Sequence, residues 1–134
     1  MKNRNIDVLE HIQKYCIRIN KSISRFGDNE PTFLVDLDFQ NSVCMSLFQI
    51  GELSNLLTSD FKEEFCNDIN WKAMRSFRNI VAHEYGKIDF SEVWSILKND
   101  IPELEKFCNN RLSQSNLLNQ NALEPEYDDE DLKL

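Results

Sequence analysis

Four side chains within eight residues carry the groups needed to work on a phosphodiester: Arg78, Asn79, His83 and Tyr85. Lys72 and Arg75 precede them by one to two helical turns. Histidine suits proton transfer because its unperturbed pKa lies near neutrality. Arginine suits a phosphate because its planar fork stays charged and donates hydrogen bonds in pairs. Asn79 could hold the His83 ring or a nucleic-acid backbone, and Lys72 and Arg75 could guide an anionic strand.

All six residues lie in one stretch, Trp71 to Gly86, that reads as a single helix. Asn70 is a good N-cap and Gly86 a natural C′ residue. Met74, Phe77 and Val81 recur at helical spacing and give the segment an apolar side to bury. On such a helix Arg78 and Tyr85 share one line, two turns apart, while Asn79 and His83 share the neighbouring line. Arg78 and His83, five residues apart, diverge by roughly 140°. One straight helix therefore does not bring guanidinium and imidazole together. Either the helix distorts near its end, or two copies face each other and share their groups.

Arg78-Asn79-Ile80-Val81-Ala82-His83-Glu84-Tyr85 resembles the Arg-x4-His-x-Tyr motif of HEPN-domain ribonucleases, in particular their HepT toxin branch. Gln49-Ile50-Gly51-Glu52, the Trp71 entry, and Val93-Trp94 followed by Asp100-Ile101-Pro102-Glu103-Leu104 resemble the same branch in order and spacing. The likeness runs from about residue 5 to residue 112. Asn70 departs from it, since relatives commonly place a proline before the tryptophan; the helix start is unaffected. The resemblance implies an all-α, antiparallel helical bundle that pairs as a homodimer around a composite cleft. It implies metal-independent RNA cleavage with Arg78 and His83 as catalytic residues, and no cofactor. It also implies a small nucleotidyltransferase (MNT) antitoxin that attaches AMP to Tyr85. Two other readings of the same residues stand beside it. One is a non-catalytic HEPN module that dimerises and binds a partner or nucleotide; the other is a structural dimerisation module whose motif helix carries only a surface charge network.

Composition sets bounds on these readings. A chain of 134 residues forms one domain with room for a core. Three Gly and three Pro are few, and long stretches lack turn signals, which favours helices. No apolar run approaches a membrane span, and the polar start is no signal peptide. Cys16, Cys44, Cys66 and Cys108 are scattered, with no Cys-x-x-Cys pair and too few histidines for a zinc site. They read as reduced, mostly buried thiols of a cytoplasmic protein. The net charge of −8 opposes an RNA partner at first sight. Residues 121–134 account for −5 of it, and residues 71–87 carry a local +3.

Around the motif the chain reads as a series of amphipathic helices. Leu9, Ile12, Cys16, Ile19, Ile23 and Phe26 form a heptad-like stripe over residues 6–26, with His11 at its edge. Residues 27–31 break that helix. A second long helix, starting between Asp36 and Asp38, carries Phe39, Val43, Leu47, Ile50, Leu53 and Leu57. Gly51 in its middle costs about 1 kcal/mol relative to alanine, which points to a close helix crossing. Glu52 beside it is a partner for an arginine, a contact to a second copy, or a solvated carboxylate. A short helix over 60–67 has Asp60 and Glu63 as a capping-box-like pair. Asp89 or Ser91 caps the next helix, whose apolar phase (Val93, Leu97, Ile101, Leu104, Cys108, Leu112) persists across Pro102. One kinked helix or two collinear ones are expected there. Trp71 and Trp94 read as core or interface anchors. The domain is expected to span 1–112, followed by a flexible acidic tail over 113–134.

Overall fold

The computed structural model describes residues 3–83 and 85–121, with side chains placed outside 81–85 and 119–121. Among the described residues seven α-helices follow one another: α1 (Arg4–Phe26), α2 (Glu30–Val35), α3 (Leu37–Ser54), α4 (Ser59–Glu64), α5 (Trp71–His83), α6 (Phe90–Ser95) and α7 (Ile101–Asn121). A 3-10 turn (Tyr85–Lys87) follows α5, and a π turn (Ile96–Asp100) joins α6 to α7. There is no strand among the described residues. No described helix is long and apolar enough to cross a membrane.

The long helices form an antiparallel bundle. Asn5 pairs with Thr58 while Ser22 pairs with Ser42, so α1 and α3 run in opposite directions. Gln13 meets Asn109 and Asn20 meets Glu105, which sets α7 antiparallel to α1 as well. α3 is the central helix, packed most extensively against α5 and α1. Each apolar stripe points into this interface. Leu9, Ile12, Cys16 and Ile19 of α1 are fully buried, with Ile23 and Phe26 packed at the edge. Phe39, Val43, Leu47, Ile50, Leu53 and Leu57 are buried along α3 and its end. Each buried aliphatic or aromatic side chain contributes about 1.5–3 kcal/mol, so the stripes dominate the fold's stability.

Two aromatic clusters pin the ends of this core. Phe61, Phe65, Trp71 and Phe107 tie α4, the first residue of α5 and α7 together, with Trp71–Phe107 centroids 5.7 Å apart. Phe26, Phe33, Phe39, Phe90 and Trp94 do the same for α1, α2, α3 and α6. Both tryptophans are thus anchors, Trp71 buried and Trp94 half-buried.

The break after residue 26 holds, since α1 ends at Phe26 and Gly27 has φ 120°. It is short, because α2 begins at Glu30, where Asn29 Oδ1 accepts from Thr32 N–H at 2.9 Å and a proline is tolerated in a first turn. Three expectations need correction. α4 is capped by Thr58, whose Oγ1 accepts from Phe61 N–H, rather than by an Asp60–Glu63 box. The α-helix of the motif ends at His83, and Gly86 lies inside the 3-10 turn instead of at a C′ position. Finally, α7 runs through Ser113 to Asn121, past the boundary set at 112. No Gly or Pro interrupts residues 103–121, and Leu, Gln and Arg are good helix formers. Residues 122–134 of the acidic tail lie outside the described residues.

The Pro102 expectation holds, with a specific mechanism. Proline has no N–H to donate to residue 98. The π turn over 96–100 widens the helix there, and Ile101 N–H reaches Ile96 O, an i→i+5 bond. The apolar phase therefore survives: Val93, Leu97, Ile101, Leu104, Cys108 and Leu112 are all buried. Lys98 on this turn pairs with Asp28 at 2.7 Å, tying it to the α1–α2 corner.

Candidate active site

The position of α5 is fixed before its polar residues come into play. Asn70 Oδ1 accepts from Ala73 N–H at 3.0 Å, as the cap reading requires. Trp71 is held in its aromatic cluster, and Met74 and Phe77 are buried against α3. Cys16, Cys44 and Cys108 are buried free thiols and Cys66 is exposed. Burial raises the Cys44 thiol to about 11 and the Cys108 thiol to about 12. Burial also raises Cys16, with further contributions from Cys108 and Glu105. These thiols serve packing rather than chemistry. No group of three or more His, Cys, Asp or Glu among the described residues is placed to hold a metal ion.

α3 and α5 cross at Gly51 and Arg78. A Cβ built on Gly51 would lie 2.7 Å from Arg78 Cβ and 2.8 Å from Arg78 N. Only glycine lets the two backbones approach this closely. The next residue of α3 then takes hold of the arginine: Glu52 Oε1 lies 2.5 Å from Arg78 Nε. Nε is buried and has no aligned hydrogen bond, so the contact is a close charge pair rather than a directed donor–acceptor bond. The two side chains remain 38% and 44% exposed, which leaves the far end of the guanidinium reachable from solvent.

Asn79 is exposed and its Oδ1 accepts weakly from Arg78 Nη1 at 3.5 Å. Among the described residues its side-chain partner is the arginine beside it. Arg75 is exposed on α5 one turn before Arg78. Lys72 is also exposed but lines a hollow at the α4–α5 corner with Lys62, Cys66 and Asn67, away from the Gly51 crossing. The structure therefore brings Gly51, Glu52, Arg78 and Asn79 together and places Lys72 apart. The side chains of His83 and Tyr85 lie outside the described residues.

The backbone places His83 as the last residue of α5 and Tyr85 as the first of the 3-10 turn that follows.

Comparison with known proteins places this arrangement. A family model described as "Ribonuclease HepT-like" matches residues 7–111, a span that contains both the Gly51–Glu52 pair and the whole of α5. A Thermococcus cleftensis protein named "Probable ribonuclease HepT" is 33% identical over 108 residues, covering 78% of this chain and 93% of that protein. A Caldanaerobacter subterraneus protein named "Putative RNase TTE0752" is 30% identical over 98 residues, covering 73% and 85%. The Methanocaldococcus jannaschii protein "Putative RNase MJ1380" is 42% identical over 65 residues, 48% of this chain and 59% of that protein. No solved structure matches. With the helical bundle, the Arg78 crossing and a family match over most of its length, the chain belongs to the HepT-like ribonuclease family.

Proposed function

We propose that this protein is a metal-independent endoribonuclease in which Arg78 and His83 carry the cleavage of RNA. The observation that carries the reading is the construction around Arg78: a glycine that seats its backbone and a glutamate that holds its Nε, in a chain of a ribonuclease family. In the reaction a ribose 2′-oxygen bonds to phosphorus and the bond to the 5′-oxygen breaks. His83 transfers protons, and Arg78 stabilises the charge that builds on the phosphoryl oxygens. Asn79 supports the arginine, and Arg75 and Lys72 attract the strand.

The uninterrupted α5 favours a homodimer in which arginine and histidine from two copies share a cleft. Membership in the family further supports a toxin role, with a nucleotidyltransferase antitoxin as partner. Its action on Tyr85 would form a bond from the phenolic oxygen to the α-phosphorus of ATP, release pyrophosphate and pass the phenolic proton to solvent. The AMP would then compete for the Arg78 guanidinium.

The test is cleavage of a labelled RNA oligonucleotide by the full chain after dialysis against EDTA. Arg78→Ala and His83→Ala should each lose on the order of 10²–10³ in rate while circular dichroism shows the helices intact. Full activity in His83→Ala, or strict dependence on added divalent metal, refutes the mechanism. RNA binding without cleavage would instead identify a non-catalytic module.

A further inference from the structure

We infer that Glu52 is a positioning residue for Arg78, reserving one edge of the guanidinium for the RNA phosphate. This rests on the ribonuclease reading above. A guanidinium can grip an oxyanion by two edges, the Nε–Nη edge or the terminal Nη1–Nη2 edge. Glu52 takes the first, since its carboxylate lies against a buried Nε. Gly51 fixes the other end of the same side chain, because Arg78 Cβ and N lie where a Gly51 side chain would stand. The arginine is thus held to α3 at its root and at Nε. What remains is the Nη1–Nη2 edge, with Asn79 touching Nη1 at a long 3.5 Å that a phosphate oxygen would displace.

Two consequences separate this role from a structural one. A half-exposed ion pair contributes little to folding, so Glu52 is dispensable for the bundle. The carboxylate also repels an incoming phosphate, so removing it should not weaken RNA binding. A freed arginine rotates away from the reacting phosphorus, and a misplacement of about 1 Å costs on the order of 100-fold in rate. Loss of Glu52 should therefore lower kcat and leave KM unchanged or reduced.

The experiment measures kcat and KM on a fluorogenic single-stranded RNA oligonucleotide for the wild-type full chain, E52A, E52Q and R78A. In parallel, protein labelled with 15N-arginine reports the Arg78 Nε–H resonance, assigned by its absence in R78K. Expected for E52A is a kcat about 10–100-fold down, KM not raised, and a shift of the Arg78 Nε–H resonance. E52Q keeps the side chain's length but not its charge, so it should lose kcat as E52A does. Should E52A fail to fold, E52D replaces it, with a carboxylate one methylene too short to reach. Wild-type kcat in E52A, or a raised KM with kcat intact, overturns the proposal. If the wild-type chain does not cleave RNA, the ribonuclease reading falls. The Nε–H resonance then still decides the inference: an unchanged position in E52A and E52Q overturns it, and a shift in both upholds Glu52 as the group that orients Arg78.

Discussion

Gly51→Ala sets two physical effects against each other, and the structure says which should win. By helix propensity alone the change should stabilise α3 by about 1 kcal/mol. The new methyl, however, would stand 2.7 Å from Arg78 Cβ, 2.8 Å from its N and 3.2 Å from its Cα. None of these atoms is the free end of a flexible side chain. Ordinary carbon contacts lie near 3.5–4.0 Å, so α3 and α5 must part by roughly 1 Å. That separation loosens Leu47, Ile50, Met74 and Phe77, which fill the same interface. Overpacking of this kind costs about 1–3 kcal/mol, and backbone contact argues for the upper end. The net expectation is a loss of about 1–2 kcal/mol, or a Tm lower by roughly 4–8 °C. RNA cleavage should fall further than stability, because the displaced residue is Arg78 itself. Gly86→Ala is the control for stability, since nothing lies within 4 Å of a Cβ there. Thermal melts by circular dichroism and urea titration measure both. A Gly51→Ala protein as stable as wild type, or more so, would refute the crossing argument.

Other outcomes follow from burial and charge. With Cys16, Cys44 and Cys108 buried and their thiols pushed up, the native protein should take one maleimide per chain at neutral pH, on exposed Cys66, and four after denaturation. Intact mass spectrometry counts them. Burial, then the charge of Glu103, raises Asp100 above its ordinary 3.8, so the fold favours its protonated form. Its contribution is present at acid pH and lost as pH rises through the raised value. Asp100→Asn should therefore raise Tm at pH 7, with the gain vanishing below about pH 3.8; a gain independent of pH would contradict this. Tyr85→Phe should still cleave RNA yet accept no AMP from an active nucleotidyltransferase and ATP, and an adduct on that variant would place the modification elsewhere.

Much of the bundle was legible because burial imposes a period on sequence. The stripes of α1 and α3, and the run from Val93 to Leu112, could be read directly, and the run even carried its phase across Pro102. What periodicity cannot show is which local bond wins at an end. Thr58 caps α4 because Asn5 reaches it from 53 residues away, donating to its Oγ1 and accepting from its N–H. Nothing within 58–63 announces that preference. The end of α5 is a similar case: a glycine three residues beyond His83 suggested a left-handed stop, and the chain tightens into a 3-10 turn instead.

The candidate site divides along the same line. Type and spacing, which are local properties, single out Arg78, Asn79 and His83 as candidates. Their arrangement depends on contacts across the bundle, and there the sequence left alternatives open. Gly51 was read as a close crossing, and Glu52 as an arginine partner among other roles; the two adjacent residues meet one and the same arginine. That coincidence constrains the mechanism. Arg78 is held towards α3 at two points, its Cβ against Gly51 and its Nε against Glu52. Swinging the guanidinium to another side of α5 would require it to abandon Glu52. A phosphate gripped by Arg78 must therefore arrive where α3 and α5 cross, and the shared-cleft homodimer proposed above requires a second copy to present its groups at that same place.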